Sequence, residues 1–129
     1  MSVNFAKTTL ISATVGVLFL MGCSSGPSLN YDEFAACLTE VGMVEYGAFW
    51  CHNCSTQKEL FGDSFEYVNY VECDPRGDDS QAELCLEVGI EGYPTWTHPD
   101  GRSWEGWQTL EKLSQVSGCE LPEEEVETE

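Results

Sequence analysis

The chain has 129 residues, of which 42% are hydrophobic and 12% aromatic, enough for one packed core and too few for several, so a multidomain architecture and a wholly disordered chain are both excluded. Five Lys and Arg stand against 23 Asp and Glu, a formal net charge of -18. No basic stripe exists that could neutralise phosphates, which excludes nucleic acid as a partner, and the acidity reads as a solvated coat.

In chain order, the first signal is an N-terminal one. Lys7 supplies a short positive region, and Leu10 to Met21 is an apolar run of about a dozen residues, too short to span a bilayer but suited to a secretory signal. It closes on Leu20-Met21-Gly22-Cys23, which resembles a bacterial lipobox with Cys23 as the acceptor of lipid. Residues 1-22 are therefore expected to be a signal peptide and residues 23-30 a lipidated cysteine with its tether, small and polar through Gly26 and Pro27. Acyl chains would fix the mature protein to the cell envelope, on the periplasmic face of an inner or outer membrane or the outer face of a single one. Ser24 after the lipid cysteine would permit the outer membrane. Six cysteines follow Cys23, and export places them where disulfides form and persist.

The folded domain is expected over residues 31-119. Asn30 and Glu33 have capping-box spacing, and Phe34, Cys37, Leu38 and Val41 fall at i, i+3, i+4 and i+7, predicting a helix from Tyr31 to Val41 with Cys37 on its core side. Met43 to Phe49 is a short apolar run that reads as a buried strand, interrupted by the charge of Glu45. Cys51 to Phe61 is helical in pattern and Gly62 stops it, so Cys51-His52-Asn53-Cys54 sits at a strand-to-helix junction.

A second strand is predicted from Tyr67 to Cys73, then the turn-rich Asp74-Pro75-Arg76-Gly77-Asp78-Asp79. Ser80 with Glu83 gives another capping-box spacing, opening a helix with Ala82, Cys85 and Leu86 on one face and Gly89 at its end. Gly92 to Thr97 is β-like around Pro94. Pro99-Asp100-Gly101 turns the chain, and Ser103 to Gly106 returns as the other arm of a hairpin. Leu110, Leu113 and Val116 mark a last helix ended by Gly118, and residues 120-129, almost all Glu, are expected to be a disordered tail.

By itself, Cys-x-x-Cys serves equally as half a zinc site or as a redox pair. The remaining cysteines are scattered singly, and His98 is the only distant histidine, so export and the strand-to-helix placement favour redox chemistry with no metal and no cofactor. Free N–H groups at a helix N-terminus favour a thiolate on Cys51, the expected nucleophile. Cys54, one turn on and more buried, would resolve the mixed disulfide.

Phe49-Trp50-Cys51-His52-Asn53-Cys54 followed by Gly92-Tyr93-Pro94-Thr95 resembles the thioredoxin superfamily. Tyr46-Gly47-Ala48, Gln57-Lys58-Glu59-Leu60-Phe61-Gly62, Tyr70-Val71-Glu72-Cys73 and Trp96 extend the likeness to the thioredoxin-like domain fused to vitamin K epoxide reductase homologues in bacteria and plants. The likeness covers Tyr31 to Gly118. It implies an α/β, thioredoxin-like three-layer fold, a central mixed sheet with helices on both faces.

The resemblance also implies a cis bond before Pro94, which would lie beside both thiols, with the Tyr93 backbone pairing with an extended client segment. Glu45 occupies the position of a buried acid that serves as base for the resolving cysteine; a strand-edge glutamate reaching solvent is the other reading. Trp50 either shields the pair or simply packs, and His52 either supports the Cys51 thiolate or points to solvent. Relatives carry cysteines at the places of Cys73 and Cys85, implying a structural disulfide, with an electron-relaying pair as the rival. Cys37 and Cys119 are left to pair, one choice among 15 connectivities.

The resulting expectation is an envelope thiol-disulfide oxidoreductase. It would oxidise client protein thiols and pass electrons to a separate quinone-linked membrane partner of the vitamin K epoxide reductase type. The same site run in reverse would be a reductase, and a lipoprotein holding metal through Cys51, Cys54 and His52, or a purely structural one, are the non-enzymatic alternatives.

Overall fold

The computed structural model describes residues 29–123. Cys23, the expected signal peptide, most of the tether and residues 124–129 of the expected tail lie outside them. The elements run α1 (Asp32–Glu40), β1 (Val44–Gly47), α2 (His52–Phe61), a 3₁₀ segment (Gly62–Tyr67), β2 (Tyr70–Glu72), α3 (Ala82–Val88), β3 (Thr95–Thr97), β4 (Ser103–Glu105) and α4 (Leu110–Ser117). Apart from the 3₁₀ segment, this is the order read from the sequence. Among the described residues no helix is long and apolar enough to cross a membrane.

The strands form one sheet in the order β2-β1-β3-β4. β1 and β2 are parallel, whereas β1/β3 and β3/β4 are antiparallel. A parallel neighbour needs a crossover, and α2 supplies it; an antiparallel one needs only a turn, and residues 98–102 supply that.

Glu45 lies between Tyr70 on β2 and Trp96 on β3, so these three side chains share one face. On that face Phe34 and Leu38 of α1, Phe61 of α2, and Leu110 and Leu113 of α4 pack with Trp96 into the larger core. On the other face Tyr46 and Val71 pack against Cys85, with Leu84 and Ile90 beside them. The result is the α/β, thioredoxin-like arrangement, a mixed sheet with helices on both faces.

Two buried polar groups lock α2 to the sheet. Trp96 Nε1 donates to Gln57 Oε1 at 3.0 Å, Gln108 N donates to the same oxygen at 2.6 Å, and Gln57 Nε2 donates to Gln108 O at 3.0 Å. Gln57 is fully buried, and this bonding offsets the cost of removing its amide from water. Disulfides join Cys37 to Cys119 across 82 residues and Cys73 to Cys85 across 12.

Several local expectations are corrected. Neither capping box forms: Asn30 Oδ1 accepts from Asp32 N at 2.7 Å ahead of an α1 without a side-chain cap, and Ser80 Oγ donates to Glu72 O instead of capping α3. Leu86 is 78% exposed, and Leu84 takes its place against the core. Gly62 ends α2, but the chain continues as a 3₁₀ turn that absorbs Tyr67, so β2 begins only at Tyr70. Leu121 packs against the larger core, within the stretch expected to be tail from residue 120.

Candidate active site

The site begins where β1 ends. After Gly47, Ala48 and the exposed Phe49 and Trp50 carry the chain to Cys51, the N-cap of α2. Cys51 has extended backbone, and its Sγ accepts the Cys54 N–H at 3.1 Å, so sulphur stands where Ser or Asp oxygen usually caps a helix. The Cys54 N–H and the N-terminus of α2 are thus directed at that sulphur. Cys51 and Cys54 are the free cysteines among the described residues, 6% and 1% exposed.

Cys54 lies deeper. Burial, the hydrogen bond with Cys51 and the nearby charges of Cys51 and Glu45 push its thiol up to about 12, against the lowering effect of a backbone bond with Ala48. The capping Cys51 sulphur keeps 6% exposure, and the deeper Cys54 is kept protonated.

Opposite the pair, the Tyr93–Pro94 peptide bond is cis. Pro94 is fully buried, its carbonyl accepts from Gly106 N at 2.7 Å, and Tyr93 packs on Ala48, Cys51 and Cys54. The Trp50 and Tyr93 rings meet edge to face at 6.1 Å. Trp50 is 57% exposed, and its Nε1 donates to Asp74 Oδ2 at 2.6 Å. Asp74 in turn accepts two bonds from the Arg76 guanidinium, which holds its carboxyl well below the usual carboxylate range and lies over the Phe49 ring. Trp50 is therefore held upright on the rim rather than packed away. His52, the first residue of α2, is exposed.

Glu45 is fully buried, not at a solvent-reaching edge, and neither carboxyl oxygen has a hydrogen-bond partner. Burial pushes it up to about 8 despite the opposing charge of Lys58. Lys58 reaches in from α2, its Nζ 4.3 Å from the Tyr70 ring centre and 5.4 Å from that of Phe65. No group of three or more His, Cys, Asp or Glu is arranged to hold a metal ion among the described residues.

Sequence reasoning brings Cys51, Cys54, Tyr93, Pro94, Trp50 and Glu45 to this place, and the structure gathers all six. It passes over Asp74, Lys58, Tyr70 and Gly47. The last had a signal, since glycine in a strand marks close approach. A β-carbon at residue 47 would meet Tyr70 Cε2 at 2.8 Å and Cys54 Sγ at 3.0 Å. Tyr70 cannot yield cheaply, because Lys58 covers its ring and its hydroxyl is bonded to Glu72. Gly47→Ala is therefore expected to destabilise the domain by about 1–3 kcal/mol in urea denaturation, and an unchanged midpoint would show that the cleft opens freely.

No family model matches the chain. Over 102 residues, 76% of its length, it is 38% identical to thiol-disulfide oxidoreductase LTO1 of Arabidopsis thaliana, and it spans 27% of that protein. Among solved structures it is similar to thioredoxin f2 of Chlamydomonas reinhardtii, with a TM-score of 0.42 and 19% identity over 63% of this chain and 80% of that one.

Proposed function

We propose that residues 31–119 form a thiol-disulfide oxidoreductase domain acting on client protein thiols. One observation carries this reading: a capping Cys51 sulphur that accepts a helix N–H, one turn from a free buried Cys54 and beside a cis Tyr93–Pro94 bond. The 38% identity to a protein named for this activity supports it.

In the oxidising direction, a client thiolate attacks Cys51 Sγ of the Cys51–Cys54 disulfide, and Cys54 leaves and takes a proton. A second client thiolate then attacks the client sulphur of the mixed disulfide. Cys51 departs, the client gains a disulfide, and two electrons rest on the pair. Tyr93 and Pro94 present the backbone on which an extended client segment lies, and Trp50 borders it. The electrons pass on to a separate quinone-linked membrane partner of the vitamin K epoxide reductase type. Lipid on Cys23 tethers the domain to the cell envelope, which keeps it near that partner.

A second reading, a reductase, runs the same site in reverse, because direction is set by reduction potential and partner rather than by the arrangement of the two thiols. Equilibration with glutathione, followed by alkylation and peptide mapping, tests both. The Cys51–Cys54 pair is expected to cycle; a potential near about -120 mV would assign it to oxidation, and one near about -270 mV to reduction. A pair that does not cycle would end the oxidoreductase reading.

A further inference from the structure

Whichever way electrons flow, Cys54 must lose a proton when it attacks the mixed disulfide and regain one when it leaves, and it does so 1% exposed to solvent. Glu45 is beside it, but that carboxyl is itself fully buried and hydrogen-bonded to nothing among the described residues, so a proton placed there has no bonded way out. A different chain of groups leads outward. Tyr70 Oη donates to Glu72 Oε2 at 3.0 Å, and Glu72 Oε1 accepts from Asp74 N at 2.9 Å, where the surface loop begins. Glu72 is buried yet retains 7% exposure.

The inner end of this chain faces Cys54 across Gly47. The point where a β-carbon of residue 47 would sit lies 3.0 Å from Cys54 Sγ and 3.1 Å from Tyr70 Oη, so the glycine leaves no side-chain atom between thiol and phenol. Tyr70 is held in that position by Lys58 over its ring, by the edge of Phe65 at 5.8 Å and by Glu72. Its hydrogen is committed to Glu72, which leaves an oxygen lone pair free for the thiol side.

We propose that Tyr70 and Glu72 form a proton relay for Cys54. Thiol and phenol are not hydrogen-bonded in the resting structure; as Cys54 attacks the mixed disulfide the two close across the space left by Gly47, its S–H proton passes to Tyr70 Oη, and the hydroxyl proton of Tyr70 passes to Glu72 Oε2. The new Cys51–Cys54 bond forms, the Cys51–client bond breaks, and the client sulphur leaves as a thiolate that takes its proton from water. In the opposite direction the same groups return a proton to Cys54 as it leaves. Cys54 faces Cys51 at the head of its helix, Glu45 from β1, Tyr70 from β2 and Tyr93 before β3; Glu72 lies behind Tyr70, and Lys58, beside Glu45 and Tyr70, is the nearby cation. Burial and the bond to Glu72 both raise Tyr70 above the usual phenol range, which keeps it a neutral carrier.

The relay rests on the exchange reading above, and one experiment separates the two. The full chain, with Cys23→Ser to silence that thiol, is reduced at Cys51 and Cys54 and mixed with dithiobis(nitrobenzoate). Attack by Cys51 releases a first nitrothiobenzoate, and closure by Cys54 releases a second. Tyr70→Phe and Glu72→Gln are each expected to leave the first release within about twofold and to slow the second about tenfold to a hundredfold at pH 7. The deficit is expected to shrink toward about pH 10, where hydroxide takes the thiol proton directly, and the double variant is expected to be no slower than Tyr70→Phe alone.

A second release within about twofold of the unaltered chain in either folded variant would overturn the relay, as would a slowing that is the same at every pH, the mark of lost packing. Glu72→Gln keeps the Tyr70 ring and carries the test if Tyr70→Phe does not fold. Absence of a first release dependent on Cys51 would instead remove the exchange reading, and the relay with it.

Discussion

Cys51→Ser is expected to abolish exchange, with a loss on the order of 10³-fold or more, because the nucleophile has no neighbour able to replace it. The other free thiol among the described residues, Cys54, is pushed up to about 12 and is almost wholly enclosed. Cys54→Ser should behave differently. Cys51 keeps its capping position at the head of α2, so the first attack proceeds and the reaction halts at the mixed disulfide. A client peptide with one disulfide would then be retained covalently, visible as added mass that a reductant removes. Equal loss in both variants with no trapped species would assign the nucleophile elsewhere, and trapping on Cys51→Ser would reverse the two roles.

The second large effect concerns stability. Glu45 has an ordinary value of 4.5 and is raised to about 8 in the folded chain, chiefly by burial. The folded state therefore holds a proton that the unfolded chain releases. Its contribution is full below about pH 4.5 and is lost as pH rises toward 8, a fall on the order of 5 kcal/mol. Glu45→Gln removes the titration while keeping the shape. In urea denaturation the variant is expected to gain on the unaltered chain steadily from pH 5 to pH 8.5 and to be the more stable of the two at the alkaline end. A difference between the two chains that does not change with pH would show that Glu45 is not held protonated.

The parts of this structure legible in the sequence are those that depend on neighbours along the chain. The Cys51–Cys54 spacing, the glycine after α4 and the turn at Pro99-Asp100-Gly101 each follow from residue type and offset. Phasing was harder. α3 has only seven residues, and with Leu84 and Leu86 both apolar a period of 3.6 cannot choose the buried one; tertiary contact with Cys85 and Tyr46 decides for Leu84. Both capping boxes had the right spacing, yet the Asn30 and Ser80 oxygens found other partners. The site was legible where one motif carries it and illegible where strands meet. Tyr70 reaches Glu45 only through register, Asp74 reaches Trp50 across 24 residues, and Gln57 reaches Gln108 across 51.

The bond between Cys37 and Cys119 makes almost the whole domain a closed covalent ring, with the second disulfide inside it. Leu29 and Tyr31 before the ring share a surface hollow with Leu121 and Pro122 after it, so the strands of chain entering and leaving depart from the same spot. A protease that cuts once between residues 37 and 119 thus opens the ring without freeing a fragment. In a compartment where hydrolases are unregulated, the two halves would stay threaded to each other, and a nicked molecule could keep its thiols in place.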